Sequence, residues 1–116
     1  MINGDFWHQF DQLVSSNTVR IDRPKGSVHP RYPSFSYPLD YGYLVETQSG
    51  DGEGIDVWIG SLPVQTLTGI ICALDLQKRD AEIKILLSCT QEEMQQIVNI
   101  HNTGSQSAIL IERPTH

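Results

Sequence analysis

Gly69-Ile70-Ile71-Cys72-Ala73-Leu74-Asp75-Leu76-Gln77-Lys78-Arg79-Asp80-Ala81-Glu82-Ile83-Lys84-Ile85-Leu86-Leu87-Ser88 is the stretch that decides the fold. Two runs rich in isoleucine and leucine flank a short polar centre, the pattern of paired strands joined by a four-residue loop, Leu76 to Arg79. In that register Asp75 and Asp80 face one another. Directly opposed residues hold their β-carbons about 4.5 to 5.5 Å apart, and like charges there are destabilising. Either Lys78 and Arg79 screen the pair or a cation sits between the carboxylates. Alternation along the second strand puts Asp80, Glu82 and Lys84 on one face and Ile83, Ile85 and Leu87 on the other. A lysine beside a carboxylate cluster suits a phosphate site with a metal; an ordinary solvent-facing Glu82/Lys84 pair fits the spacing equally well.

Working outward, short β-like runs fill the region from Thr18 to Cys89: Thr18–Asp22, Tyr43–Thr47, Ile55–Gly60, Gly69–Asp75 and Ala81–Ser88. Glycine, proline, aspartate or serine bounds each one. Five such strands predict a mainly β, α+β domain built as a small five-stranded barrel or sandwich. Asp5 is placed to cap a helix whose apolar residues Phe6, Phe10, Leu13 and Val14 follow the 3.6-residue period and which ends near Ser15-Ser16-Asn17. Thr90 and Glu93 form a capping box for a second helix, with Met94, Ile97, Val98 and His101 on its apolar stripe up to Gly104. His101 reads as a packed histidine. A last strand-like run covers Ser107 to Glu112.

The 116 residues fit one domain spanning 1–116, with 39% hydrophobic and 19% charged residues. No stretch approaches the roughly 20 apolar residues of a membrane span. The N-terminal residues show no basic segment followed by an apolar one, so a cytoplasmic protein without a membrane partner is expected. Cys72 and Cys89 lie far apart within apolar runs and read as buried thiols. The net charge of −6 disfavours a general polyanion binder. Its distribution is more telling. Arg20, Arg23, Lys25 and Arg31 cluster with one acid, Asp22, whereas Asp40, Glu46, Asp51, Glu53 and Asp56 follow with no base among them. A basic segment feeding an acidic one can take a small anion and its metal counter-ions side by side, provided the two segments meet.

The acidic segment is densest at Asp51-Gly52-Glu53-Gly54-Ile55-Asp56. Glycines let a short loop curl its carboxylates toward one point, as a divalent-metal site needs. The alternative is a solvated acidic turn between strands. An EF-hand beginning at Asp51 is excluded, because its twelfth position is Leu62 rather than a bidentate acid. The basic segment, Arg23-Pro24-Lys25-Gly26-Ser27-Val28-His29-Pro30-Arg31-Tyr32-Pro33, contains three prolines. It reads as an ordered extended loop that presents its bases on a stiff backbone.

Four blocks in order carry a family likeness: R-I-D-R-P-K-G-S (Arg20 to Ser27), Y-P-L-D-Y-G-Y (Tyr37 to Tyr43), D-G-E-G-I-D-V (Asp51 to Val57) and the Asp75/Asp80 pair. Together they resemble soluble family I inorganic pyrophosphatase over about residues 18 to 88. The resemblance implies a five-stranded OB-like barrel with helices packed on it, an oligomer, and magnesium-dependent hydrolysis of pyrophosphate to two phosphates, with manganese as a substitute ion. By the same resemblance Asp51, Asp56, Asp75 and Asp80 match metal ligands, and Asp22 matches an acid of a further metal. Glu53 stands where the family has its general-base aspartate. Lys25, Arg31, Tyr41 and Lys84 are the phosphate contacts this chain offers, with Arg113 as a further cation. Glu53 is longer than the family's aspartate by one methylene. Glu82 stands where a lysine is expected, and the family's phosphate-binding arginine and late tyrosine-lysine pair have no counterpart.

Three functions remain in view. The first, which the sequence favours, is magnesium-dependent hydrolysis of inorganic pyrophosphate. The second is a catalytically weak, metal- and phosphate-binding paralogue, which the missing anion contacts favour and the four retained ligand-like aspartates argue against. The third, an OB-type nucleic-acid module using Tyr32, Phe35, Tyr37, Tyr41 and Tyr43, runs against the acidic balance.

Overall fold

The computed structural model describes residues 4–50 and 52–114. Helix α1 (Gly4–Ser15) leads into β1 (Val19–Arg23), β2 (Asp40–Leu44), β3 (Asp56–Ile59), β4 (Leu67–Asp75) and β5 (Asp80–Leu87), then α2 (Gln91–Ile100) and β6 (Gln106–Glu112). The strands form one sheet in the order β1-β2-β3-β5-β4-β6. Neighbours run antiparallel except β3 and β5, which are parallel. The mainly β, α+β character matches the sequence reading. The terminal run adds a sixth strand to the expected five, laid on the outer side of β4.

Both sheet faces are covered, which is why β4 and the second half of β5 read as continuous apolar runs rather than alternating ones. Trp58, Ile71 and Leu86 turn to one face and pack with Met94, Ile97 and Val98 of α2. Val57, Ile70, Ile85 and Leu87 turn to the other, beneath Trp7 and Val14 of α1. The sequence put Phe6 and Leu13 on the buried stripe of α1, but both are exposed and Trp7 is buried. With apolar residues at 6, 7, 10, 13 and 14, the periodicity admits two rotations of the helix. The larger contact surface of Trp7 fits the one adopted. Asp5 falls within the first turn of α1 rather than at its cap.

The second helix has the predicted capping box: the Glu93 N–H donates to Thr90 Oγ1 at 3.1 Å, and the Thr90 N–H donates to Glu93 Oε1 at 2.8 Å. Glu93 Oε1 also accepts from the Ser61 N–H at 3.1 Å, tying the loop after β3 to the helix start. Strand β2 begins and ends three residues before the predicted run. Its end is set by Thr47, whose hydroxyl donates to the Leu44 carbonyl and accepts from the Ile55 N–H, both at 2.9 Å. These bonds turn the chain where the sequence pattern continued a strand. No helix among the described residues is long and apolar enough to cross a membrane.

Candidate functional site

The β4–β5 hairpin forms in the predicted register, with Asp75 opposite Asp80. Arg79 closes the turn at φ 60°, its N–H donating to the Asp75 carbonyl at 2.8 Å. The Asp75 carboxylate does local work. Its Oδ1 accepts from Ser105 Oγ at 2.8 Å, the Gln77 N–H at 2.9 Å and the Lys78 N–H at 3.2 Å. The Ser105 hydroxyl above all, then these backbone donors, hold its carboxyl below the usual range.

Pairing of β3 with β5 brings the acid-loop strand to the hairpin. Val57 is opposite Ile85, so Asp56 lies beside Lys84 along the same ladder. The Lys84 ammonium contacts Asp56 Oδ2 at 2.7 Å and Glu82 Oε2 at 3.5 Å. Its third neighbour is the Tyr41 hydroxyl at 3.3 Å. Lys84 itself is buried, 7% exposed. Burial first, and then the Asp56 carboxylate, raise the Tyr41 phenol far above its ordinary range, so it stays protonated.

The basic and acidic segments do meet. Arg20 is opposite Tyr43 across β1 and β2, and Tyr43 is opposite Asp56 across β2 and β3. Arg20, Tyr43 and Asp56 therefore share one face in a single row, and the Arg20 guanidinium donates to the Tyr43 hydroxyl at 3.4 Å. At about 4.8 Å per strand, the Arg20 and Asp56 backbones are about 10 Å apart. The following loop folds back as a short hairpin, bridged at Val28 and Ser36. His29 Nδ1 accepts the Arg31 N–H at 3.0 Å and the Tyr32 N–H at 3.3 Å, and its ring stacks on Tyr37. Tyr37 and Tyr41 in turn contact Trp58. Of the aromatics counted toward a nucleic-acid face, Tyr37 is buried and Tyr32 is 63% exposed. Among the described residues Arg20, Arg23, Lys25 and Arg31 form no ion pair.

The sequence-predicted residues are thus distributed unevenly. Asp56, Tyr41 and Lys84 come together, and Asp75 and Asp80 face each other at the hairpin end. Lys25 and Arg31 are exposed on the basic loop, where the Lys25 N–H donates to Asp40 Oδ1 at 2.8 Å. Asp22 is exposed at the irregularity of β1, and Glu53 is exposed on the loop before β3. That loop turns through Gly52 at φ 84° and reaches β5, where Ser49 Oγ donates to Glu82 Oε1 at 3.3 Å. Asp51 lies outside the described residues. Arg113 is not part of this face: it forms a two-point ion pair with Asp11 of α1, at 2.7 and 2.8 Å. Sequence reading missed Arg20 and Tyr43 as site residues. The alternation Arg20-Ile21 within a β-like run was the available signal.

The donor set of the described residues does not suit a resident divalent ion. Among the described residues, no group of three or more aspartate, glutamate, histidine or cysteine side chains is placed to hold one. Asp56 is taken up by the Lys84 ammonium and Asp75 by the hairpin tip. His101, on the same side of the sheet, is also committed. Its Nε2 accepts the Trp58 indole N–H at 3.2 Å, which leaves the proton on Nδ1 to meet Gln106 Oε1 at 3.1 Å. A cleft of about 680 Å³ runs along α1 past Phe6, Phe10 and Leu13 and touches none of these groups.

No family model matches the chain, and no curated protein matches it. Among solved structures, an inorganic pyrophosphatase from Coxiella burnetii is similar, with a TM-score of 0.54 over 82% of each chain at 16% identity. At that identity the likeness speaks to the fold: this chain has a pyrophosphatase-like, OB-type architecture.

Proposed function

We propose that this protein binds pyrophosphate, or a closely related phosphoanhydride, on the face that runs from Arg20 through Tyr43 to Asp56, and that it is a catalytically weak relative of the pyrophosphatases. One observation carries the reading. Arg20 and Arg23, which form no ion pair among the described residues, lie on β1 in the rows that run through Tyr43 and Tyr41 toward Asp56, whose carboxylate is already matched by Lys84, and the exposed Lys25 and Arg31 follow on the next loop. An anion arriving there finds unspent positive charge on one side. On the other it finds carboxylates whose repulsion is partly cancelled, as recognition of a polyanionic ligand requires. The fold likeness supports the choice of pyrophosphate among small anions.

A second reading, magnesium-dependent hydrolysis with Glu53 as base and Asp51, Asp56, Asp75, Asp80 and Asp22 as ligands, draws support from the fold and from the shared face of Asp56 and Asp80. The donor set described above favours binding over turnover. Calorimetric titration of pyrophosphate in the absence of divalent ions tests the proposal. Saturable binding that weakens about tenfold to a hundredfold in Arg20→Ala and in Arg31→Ala, the loss of one charged hydrogen bond, is expected. Absence of binding without metal, with binding restored by magnesium, favours the hydrolase instead.

A further inference from the structure

We propose that Lys84 is the resident cation of this face: its ammonium occupies the position between the Asp56 and Glu82 carboxylates and excludes a divalent ion from them. The inference concerns the same face but stands without the pyrophosphate reading. Its geometric basis is the parallel pairing of β3 with β5, which fixes position 84 beside position 56, and the alternation along β5, which turns Glu82 the same way. An ammonium has three protons to donate. At Lys84 three oxygens surround it: Asp56 Oδ2 at 2.7 Å, Tyr41 OH at 3.3 Å and Glu82 Oε2 at 3.5 Å.

Burial makes the arrangement selective. A lysine 7% exposed retains its charge only where carboxylates compensate the lost hydration. Two buried or half-buried carboxylates in turn need a cation close by. A divalent ion bound to the same oxygens would stand within a few ångströms of the ammonium, and like charges at that range disfavour joint occupancy. Tyr41 adds to the preference. It offers the ammonium a hydroxyl oxygen, and its ring centroid lies 5.8 Å from Nζ, within reach of a cation–π contact. Glu82 is fixed from its other side by Ser49 Oγ, so the loop after β2 is anchored to the same charge cluster.

The test is a manganese titration of purified protein, followed by calorimetry and by thermal denaturation, in the parent, Lys84→Met and Lys84→Arg. The proposal expects no saturable manganese heat and no manganese-dependent melting shift in the parent or in Lys84→Arg. Lys84→Met removes the charge at similar volume and uncovers the Asp56 and Glu82 oxygens that faced the ammonium. It should bind manganese at least about tenfold more tightly than the parent and melt higher as manganese is added. Manganese binding in the parent that disappears in Asp56→Asn overturns the proposal, and this arm needs no Lys84 variant to fold. A well-folded Lys84→Met that gains no manganese response overturns it as well.

Discussion

Gly42→Ala should detach β1 from the sheet and with it the arginine end of the proposed binding face. Gly42 lies in β2 opposite Ile21, with Val57 on its other side. A methyl group built there would overlap the Arg20 carbonyl oxygen and lie 2.7 Å from the Arg20 carbonyl carbon and 2.9 Å from Ile21 Cα. All three atoms are backbone, so no rotamer change relieves the contact. Moving the Arg20 carbonyl carbon to an ordinary separation of about 3.5 Å needs a shift of about 0.8 Å. That is enough to lengthen a ladder hydrogen bond of about 2.9 Å beyond bonding range. Two lost bonds at about 0.5 to 1.5 kcal/mol each give about 1 to 3 kcal/mol, the same order as overpacking a close-packed site. Because β1 is an edge strand of five residues, the strain is relieved by its local release. Urea denaturation should report that loss, and amide exchange should rise at Val19 to Ile21 before it rises in β4 or β5. Unchanged stability and unchanged exchange in β1 would refute the close-approach argument.

Three further outcomes follow from contacts elsewhere. His101 is neutral in the fold, its pKa lowered from the ordinary 6.5 chiefly by burial and only partly restored by Gln106. The stability linked to it is therefore complete above about pH 6.5 and declines as pH falls through the folded value. Melting temperatures between pH 7.5 and 5 should drop more steeply for the parent than for His101→Gln, and parallel profiles would count against the Trp58–His101 bond. Arg113→Met breaks the two-point pair with Asp11 and the contact of the guanidinium with the Trp7 ring, 5.8 Å away. With both partners partly exposed, the expected cost in a urea titration is about 1 kcal/mol or less, shrinking in high salt. Thr90→Ala removes the cap of α2 and should cost about 1 kcal/mol; Glu93→Ala should cost more, since Glu93 Oε1 also holds the Ser61 N–H.

Local chemistry made much of this architecture legible. The β4–β5 hairpin could be placed to the residue because its turn and its alternation agree, and the α2 cap because Thr90 and Glu93 stand three apart. The rotation of α1 was not readable, since adjacent aromatics offer a helix two plausible buried stripes and only the sheet beneath selects one. The end of β2 depended on the Thr47 hydroxyl substituting for a backbone partner, which strand propensity does not register. At the candidate face, Asp56, Tyr41 and Lys84 were recognisable singly. What Lys84 does there depends on a parallel pairing between strands separated by the whole of β4, and no local pattern encodes that neighbour. The Asp11–Arg113 pair is hidden for the same reason, its members being 102 positions apart.

The central claim, that this pyrophosphatase-like fold binds its anion without a metal-built hydrolytic centre, meets its most direct test in a phosphate-release assay. Purified protein would be incubated with pyrophosphate, with magnesium, with manganese and with neither, alongside calorimetric binding of pyrophosphate on the same sample. The account predicts saturable binding with phosphate release that magnesium does not stimulate. Multiple-turnover release that requires magnesium and is lost in Asp56→Asn would contradict it.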